Sequence, residues 1–269
     1  MRMTWSACVL DADSGAVLHD DDGHLVLPCA SVGKLLVLLE TARRLDDGSL
    51  DPGLQLERRD EDLVADSGVW QHLDVDALTV RDLCTLVGTM SDNLATNVLV
   101  RHLGLDAVTA TAQRLGLGEV HLHDRVRDHR GPGDPPCLAT ASSRALAQLF
   151  ARLHRGELLS PAASDSVLGW LSGGADLSMV AAAFDLDPLA HRPEDGPLGR
   201  LAHKTGTDLG VRADAGLVVG QLKSEGQGST VAYAAIARWE PTDHAGTGVA
   251  LARMRALGER VLSLVAEEP

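Results

Sequence analysis

Ser31 and Lys34 stand three residues apart at the head of Leu35-Leu36-Val37-Leu38-Leu39, a run with no polar residue before Glu40. A helix that is apolar all round belongs in a core. The spacing therefore sets a hydroxyl and an amine on one face at the mouth of a buried rod. Burial disfavours the ammonium form, and a lysine held neutral takes a proton from a neighbouring hydroxyl. The pattern is that of a serine nucleophile activated by a lysine. The chain has only three lysines, Lys34, Lys204 and Lys223, because its basic charge is otherwise arginine. Lys204 opens Lys204-Thr205-Gly206, and Ser91-Asp92-Asn93 lies between the two lysine motifs.

Other residues invite chemistry less strongly. Ser67-Gly68-Val69-Trp70, in an irregular acidic stretch, reads as the rim of a cleft with Trp70 as a substrate contact. His121 and His123 alternate onto one face of an extended segment near Asp124, Asp128 and His129. No third ligand is suitably spaced, so no metal is assigned. Gly33-Lys34 is not a phosphate loop, since that motif needs glycine where Pro28 stands and serine or threonine where Leu35 stands.

The elements that must hold these residues follow from pattern. Residues 5–11 and 16–19 read as a hairpin around Asp11-Ala12-Asp13-Ser14-Gly15. Helices are expected from Ser31 to Asp46, from Thr79 to the Ser91 turn, over 94–103, 106–115 and 142–155, and from Pro161 through Trp170. Residues 119–140 read as loop. Strands return at 198–205, 215–222 and 230–239, and a last helix spans 247–265. The fold class is α+β: an antiparallel sheet flanked by helices, plus an all-helical lobe. Residues 1–29 and 190–269 form the sheet domain and 30–189 the all-α domain, with the active site in the cleft between them.

Bulk properties agree. With 45% hydrophobic content over 269 residues, the chain can bury a large core. A net charge of −14 excludes a nucleic-acid backbone as partner, which needs a concentrated basic face. No stretch has the length of a membrane span. No leader pattern precedes the first strand, and Cys8, Cys29, Cys84 and Cys137 are scattered, so reduced thiols and a cytoplasmic setting are expected.

The order and approximate spacing of Ser31/Lys34, Ser91-Asp92-Asn93 and Lys204-Thr205-Gly206 resemble those of the class A β-lactamase and penicillin-binding superfamily of serine hydrolases. The resemblance covers most of the chain and implies the β-lactamase/transpeptidase fold. It also implies roles: Ser31 the acylated nucleophile, Lys34 its proton acceptor, and Ser91 the donor to the leaving nitrogen. Asn93 would hold the substrate's amide carbonyl, with Asp92 fixing the turn. Lys204, Thr205, Gly206 and Thr207 would meet a substrate carboxylate, with Arg212 a second positive charge. The backbone N–H groups of Ser31 and Thr207 would form the oxyanion hole. Leu38 stands where some members carry the cysteine that pairs with the one at the Cys84 position.

One departure stands out. After Asp124-Arg125 the family carries a glutamate that holds the hydrolytic water, and here Arg127 occupies its place. Asp128 and His129 are the remaining candidates for a deacylation base. The expected activity is a cofactor-free acyl hydrolase acting on a carboxylate-bearing lactam, amide or ester, with slow β-lactam turnover. The alternatives are a peptidase, esterase or acyl transferase of a small metabolite, and a non-catalytic β-lactam or peptide binder. The oligomeric state is not legible.

Overall fold

The N-terminal hairpin joins strand β1 (Met3–Asp11) to β2 (Val17–Asp21), and its turn is held by Asp11 Oδ1, which accepts the Ser14 N–H at 2.7 Å. In the computed structural model, residues 3–188, 198–221 and 229–266 are described. Lys223 and the expected domain boundary at 189/190 lie outside them. The chain continues through β3 (Val26–Pro28), a 3₁₀ turn over Ala30–Lys34, and helix α1 (Leu35–Asp46). Short strands β4 (Gln55–Glu57) and β5 (Ala77–Thr79) pair with each other. Helices α2 (Val80–Met90), α3 (Asn93–Leu103) and α4 (Leu105–Arg114) follow, then strands β6 (Val120–Leu122) and β7 (Ala139–Ser142). Helices α5 (Ser143–His154) and α6 (Pro161–Leu171) lead to strands β8 (Leu198–Asp208), β9 (Val211–Gly220) and β10 (Thr230–Trp239), and helix α7 (Gly246–Ala266) closes the chain.

The main sheet has the order β2-β1-β10-β9-β8 with antiparallel neighbours. Strand alternation gives it two apolar faces. Cys8, Leu10, Ala215, Leu217, Ala234 and Ile236 join the core shared with α1 and α5, while Trp5, Val9, Val218, Tyr233 and Ala235 pack with Val180 and α7. Helix α5 falls in the helical stretch 30–189 yet packs on β1, β9 and β10. Side chains 35–39 of α1 are all buried, each contributing about 1.5–3 kcal/mol. That burial is what anchors the Ser31 turn.

The α+β class expected from the sequence is the one observed. Two local expectations need correction. Residues 119–140 are not all loop, because β6 and β7 join β3 in a second small sheet with β7 in the middle; Val120 and Leu122 point inward and His121 outward, a period of two too short to read. Strand β9 begins at Val211, earlier than its charged residues suggested, because the turn at Gly210 (φ +68°) sends Asp214 into the sheet rather than to solvent. Among the described residues no helix is long and apolar enough to cross a membrane, and Cys8, Cys29, Cys84 and Cys137 are free thiols.

Candidate active site

The nucleophile candidate sits on the 3₁₀ turn, not inside an α-helix. With three residues per turn, Ser31 and Lys34 eclipse one another, so the spacing argument holds in tighter form. Ala30, just before Ser31, has φ +48°, a costly backbone for alanine that persists only where packing enforces it. Part of that packing comes from β8. A Cβ on Gly206 would lie 2.3 Å from Cys29 O and 3.1 Å from Ser31 N. Only glycine lets the strand rest against the turn.

Lys34 is fully buried. Its Nζ donates to Ser91 O and to Asn93 Oδ1, each at 2.6 Å, and lies 3.3 Å from Ser91 Oγ. Burial pushes Lys34 well below the ordinary ammonium range and Lys204 adds to this, against the opposing pull of Asp92 and Asp66. A neutral amine has two N–H donors and one lone pair. The two short contacts use the donors, leaving the lone pair for a hydroxyl.

Ser91 ends α2 in the left-handed region, at φ +53°. Asp92 then caps α3, its Oδ1 accepting Ala95 N at 2.9 Å, while its Oδ2 accepts Val69 N at 2.8 Å and Trp70 N at 2.9 Å. One buried carboxylate thus ties the Ser91 turn to the loop opposite, and Asn93 adds its own N–H to Ser67 O at 3.0 Å.

This architecture corrects the reading of Trp70. Its indole is fully buried, with Nε1 donating to Val75 O at 2.9 Å, because the Asp92 bonds turn that peptide inward. Asp66 and Ser67 face the cleft instead. Asp66 takes φ +72°, so three strained non-glycine residues, Ala30, Asp66 and Ser91, border the cleft, as strain at functional sites leads one to look for.

Ser31 lines two chambers. One, of about 320 Å³, holds Ser91, Lys204, Thr205 and Thr207, together with Asp66, Asp176 and His203. The other, of about 560 Å³, holds Asn93, Arg127, Asp128, His129, Arg130, Asp208 and Leu209. β8 is the sheet's edge, so alternate N–H groups on it point away from β9 and are free to meet a ligand. Lys204 is buried, with Nζ donating to Thr205 O at 2.9 Å. Burial lowers it to about 8 while Asp176 and Asp214 work in the other direction.

Arg212 is not brought in. Its Nη1 donates to Val211 O at 2.8 Å and Asp208 O at 3.1 Å, and its guanidinium lies 5.9 Å from the Trp239 ring. Arg127 reaches the larger chamber but is held by Asp124 at 2.6 Å and Asp134 at 3.4 Å. Asp128 Oδ1 accepts Ala65 N at 2.9 Å. Away from the cleft, His121 and His123 stack at 5.8 Å between centroids, and among the described residues no cluster of three or more metal-ligating side chains is present.

Sequence reasoning missed Asp66, Asp176 and His203. Asp66 carried a faint signal, since aspartate tolerates left-handed backbone better than most residues. Asp176 and His203 carried none.

Comparison with known proteins follows the same lines. Residues 2–230 match the model of the Beta-lactamase enzyme family. A beta-lactamase of Streptomyces cellulosae is 34% identical over 167 residues, covering 60% of this chain and 52% of that protein; the match spans about half of the relative's length. The crystal structure of a beta-lactamase from Sphaerobacter thermophilus superposes with a TM-score of 0.80 at 24% identity, over 99% of this chain and 94% of that one, which is a likeness of fold. A PBP-A mutant, solved as its acyl-enzyme complex with penicillin G, superposes with a TM-score of 0.77 at 25% identity, over 97% and 89% of the two chains.

Proposed function

Since the chain belongs to the Beta-lactamase enzyme family, we propose that it is a serine acyl hydrolase of the class A type, acting on a carboxylate-bearing β-lactam, amide or ester through an ester on Ser31. The observation that carries this is the buried Lys34 amine, its two hydrogens engaged by Ser91 O and Asn93 Oδ1, one 3₁₀ turn from the serine. Ser31 Oγ gives its proton to Lys34 and attacks the carbonyl carbon. The resulting oxyanion is met by the N–H groups of Ser31 and Thr207. The proton returns through Ser91 to the leaving nitrogen as the C–N bond breaks. Lys204, Thr205 and Thr207 receive the substrate's carboxylate. The penicillin acyl-enzyme of PBP-A supports this sequence of events.

Deacylation is the slow half. Arg127 cannot take a proton from water and is held by two carboxylates, and one oxygen of Asp128 is already committed to Ala65 N. A chamber of about 560 Å³ on that side of Ser31 favours, as a second reading, a peptidase, esterase or acyl transferase whose acceptor is larger than water. The free thiols support a reducing, cytoplasmic setting.

The test is intact mass and gel fluorescence after incubation with a fluorescent penicillin. One adduct per chain, at Ser31 and lost in folded Ser31→Ala, is expected. Labelling that survives that substitution removes the assignment.

A further inference from the structure

We infer that Asp66 determines specificity: its carboxylate receives an ammonium group on the substrate's acyl side chain, so that the site takes a zwitterion with its own carboxylate toward Lys204 and its cation at Asp66. This rests on the reading of Ser31 as the acylated nucleophile and of Asn93 as the holder of the amide carbonyl.

Asp66 sits on a loop whose backbone is pinned by three residues. Asn93 donates its N–H to Ser67 O at 3.0 Å and its Nδ2 to Ala65 O at 3.2 Å. Asp128 Oδ1 accepts Ala65 N at 2.9 Å, and Asp92 Oδ2 accepts the N–H groups of Val69 and Trp70. Gly68 lets the loop lie this close, since a Cβ there would be 2.5 Å from Asp92 Cγ. Between these anchors Asp66 takes φ +72°, a backbone that aspartate accepts more readily than most residues. Its side chain is exposed. Its backbone carbonyl accepts Gln71 Nε2 at 2.8 Å, but among the described residues no hydrogen bond or ion pair engages its carboxylate.

Asn93 sets the direction of the acyl group. A side-chain amide has two N–H hydrogens; Ala65 O takes one, and the other is free to meet a carbonyl. Of the two chambers Asn93 lines the larger, whereas Ser31, Asp66, Ser67 and Thr207 line both. An acyl chain whose carbonyl rests on Asn93 therefore continues into the larger chamber, beside the segment that Asn93 itself holds. Asp66 is the charge on that segment.

The remaining charges of the larger chamber favour the same sign of ligand. Arg127 and Arg130 line it, but Asp124 Oδ2 accepts both, at 2.6 and 2.8 Å, and Asp134 lies 3.4 Å from Arg127. Two cations are thus already matched by two carboxylates. Asp66, Asp128 and Asp208 are left, with His129 as the other titratable group. Asp128 and Asp208 each give an oxygen to a backbone N–H, of Ala65 and of Leu209. Asp66 keeps both. The smaller chamber holds Lys204, with Asp176 and His203 beside it. A cleft lined mainly by one sign of charge concentrates ligands of the other.

Three penicillins that differ only at the carbon next to the side-chain amide carbonyl test this: benzylpenicillin carries hydrogen there, ampicillin an ammonium and carbenicillin a carboxylate. Acylation of the full chain is timed by intact mass at about pH 6.5, where an α-amino group is charged. Ampicillin is expected to acylate Ser31 about three- to tenfold more efficiently than benzylpenicillin, and carbenicillin less efficiently by a similar factor. Asp66→Asn, which tolerates the same left-handed backbone, should bring the three together, while Asp208→Asn keeps their order. Ratios are the readout because the Asp66 charge also reaches Lys34, and a change in the base alters all three probes alike. In the wild type the ratios should shrink as salt is raised, a measurement that needs no variant. Penicillin labelling with no ammonium preference, or with one that survives Asp66→Asn or high salt, overturns this inference alone. Should no penicillin label the wild type, thioesters of phenylglycine and phenylacetate make the same comparison without a lactam; an Asp66-dependent preference there supports the inference while the β-lactam reading falls. Labelling by neither set overturns the Ser31 reading and this inference with it.

Discussion

Lys34 Nζ and Asn93 Oδ1 lie 2.6 Å apart in a buried corner, the head of α3 reaching across to the turn that carries Ser31. The contact commits one amine hydrogen, and Ser91 O commits another. In the neutral amine, what is left on the nitrogen is the lone pair that a base needs.

Lys34→Arg should therefore slow acylation of Ser31 by about 10²–10⁴-fold, because a guanidinium stays protonated and accepts nothing. Stopped-flow quenching or timed mass spectrometry with a reporter cephalosporin measures it. A rate within tenfold of wild type would take the base role from Lys34.

The pH profile should be a bell whose limbs have separate owners. Burial depresses Lys34 well below its ordinary range, so its neutral form, and with it the rate, rises as pH passes upward through that lowered value. Lys204 titrates near 8; it is charged below this and neutral above, so affinity for a carboxylate is present below pH 8 and lost as pH climbs through it. A substrate whose carboxylate is esterified should lack the alkaline limb. Finding the same limb with both substrates would assign it elsewhere.

Gly206→Ala should disable the site while leaving most of the fold intact. The new Cβ would meet Cys29 O at 2.3 Å, and backbone on both sides cannot step aside easily, so a loss of about 1–3 kcal/mol is expected. Acylation should fall further than stability, as the strand is pushed off the Ser31 turn. Thermal melting and labelling rate together check this, and a variant that labels at the wild-type rate contradicts it.

An acyl adduct on Ser31 should outlast the incubation, since the absence of a positioned base typically costs about 10²–10⁴-fold. Asp128→Asn should change its decay by less than about threefold, because one carboxylate oxygen is engaged with Ala65 N. Rapid multiple turnover with no adduct, abolished by Asp128→Asn or by His129→Ala, would identify a working base.

The sequence alone determined the α+β class, the hairpin and the helical middle, and singled out Ser31, Lys34, Ser91, Asn93 and Lys204 as candidates, because each announces itself over a few consecutive positions: an apolar run with no polar face, a cap, a turn, a rare lysine. Tertiary structure decided what depends on partners far along the chain. Trp70 turned inward because Asp92, twenty-two residues away, holds its peptide. Arg212 turned away because its own hairpin offers two carbonyl oxygens. His203 and Val180 N meet Asp214 only once β8 pairs with β9 and the segment leading to Val180 folds over them. Local pattern encodes which face of an element is apolar, whereas the field around a charged group is set by residues that only the finished packing brings near.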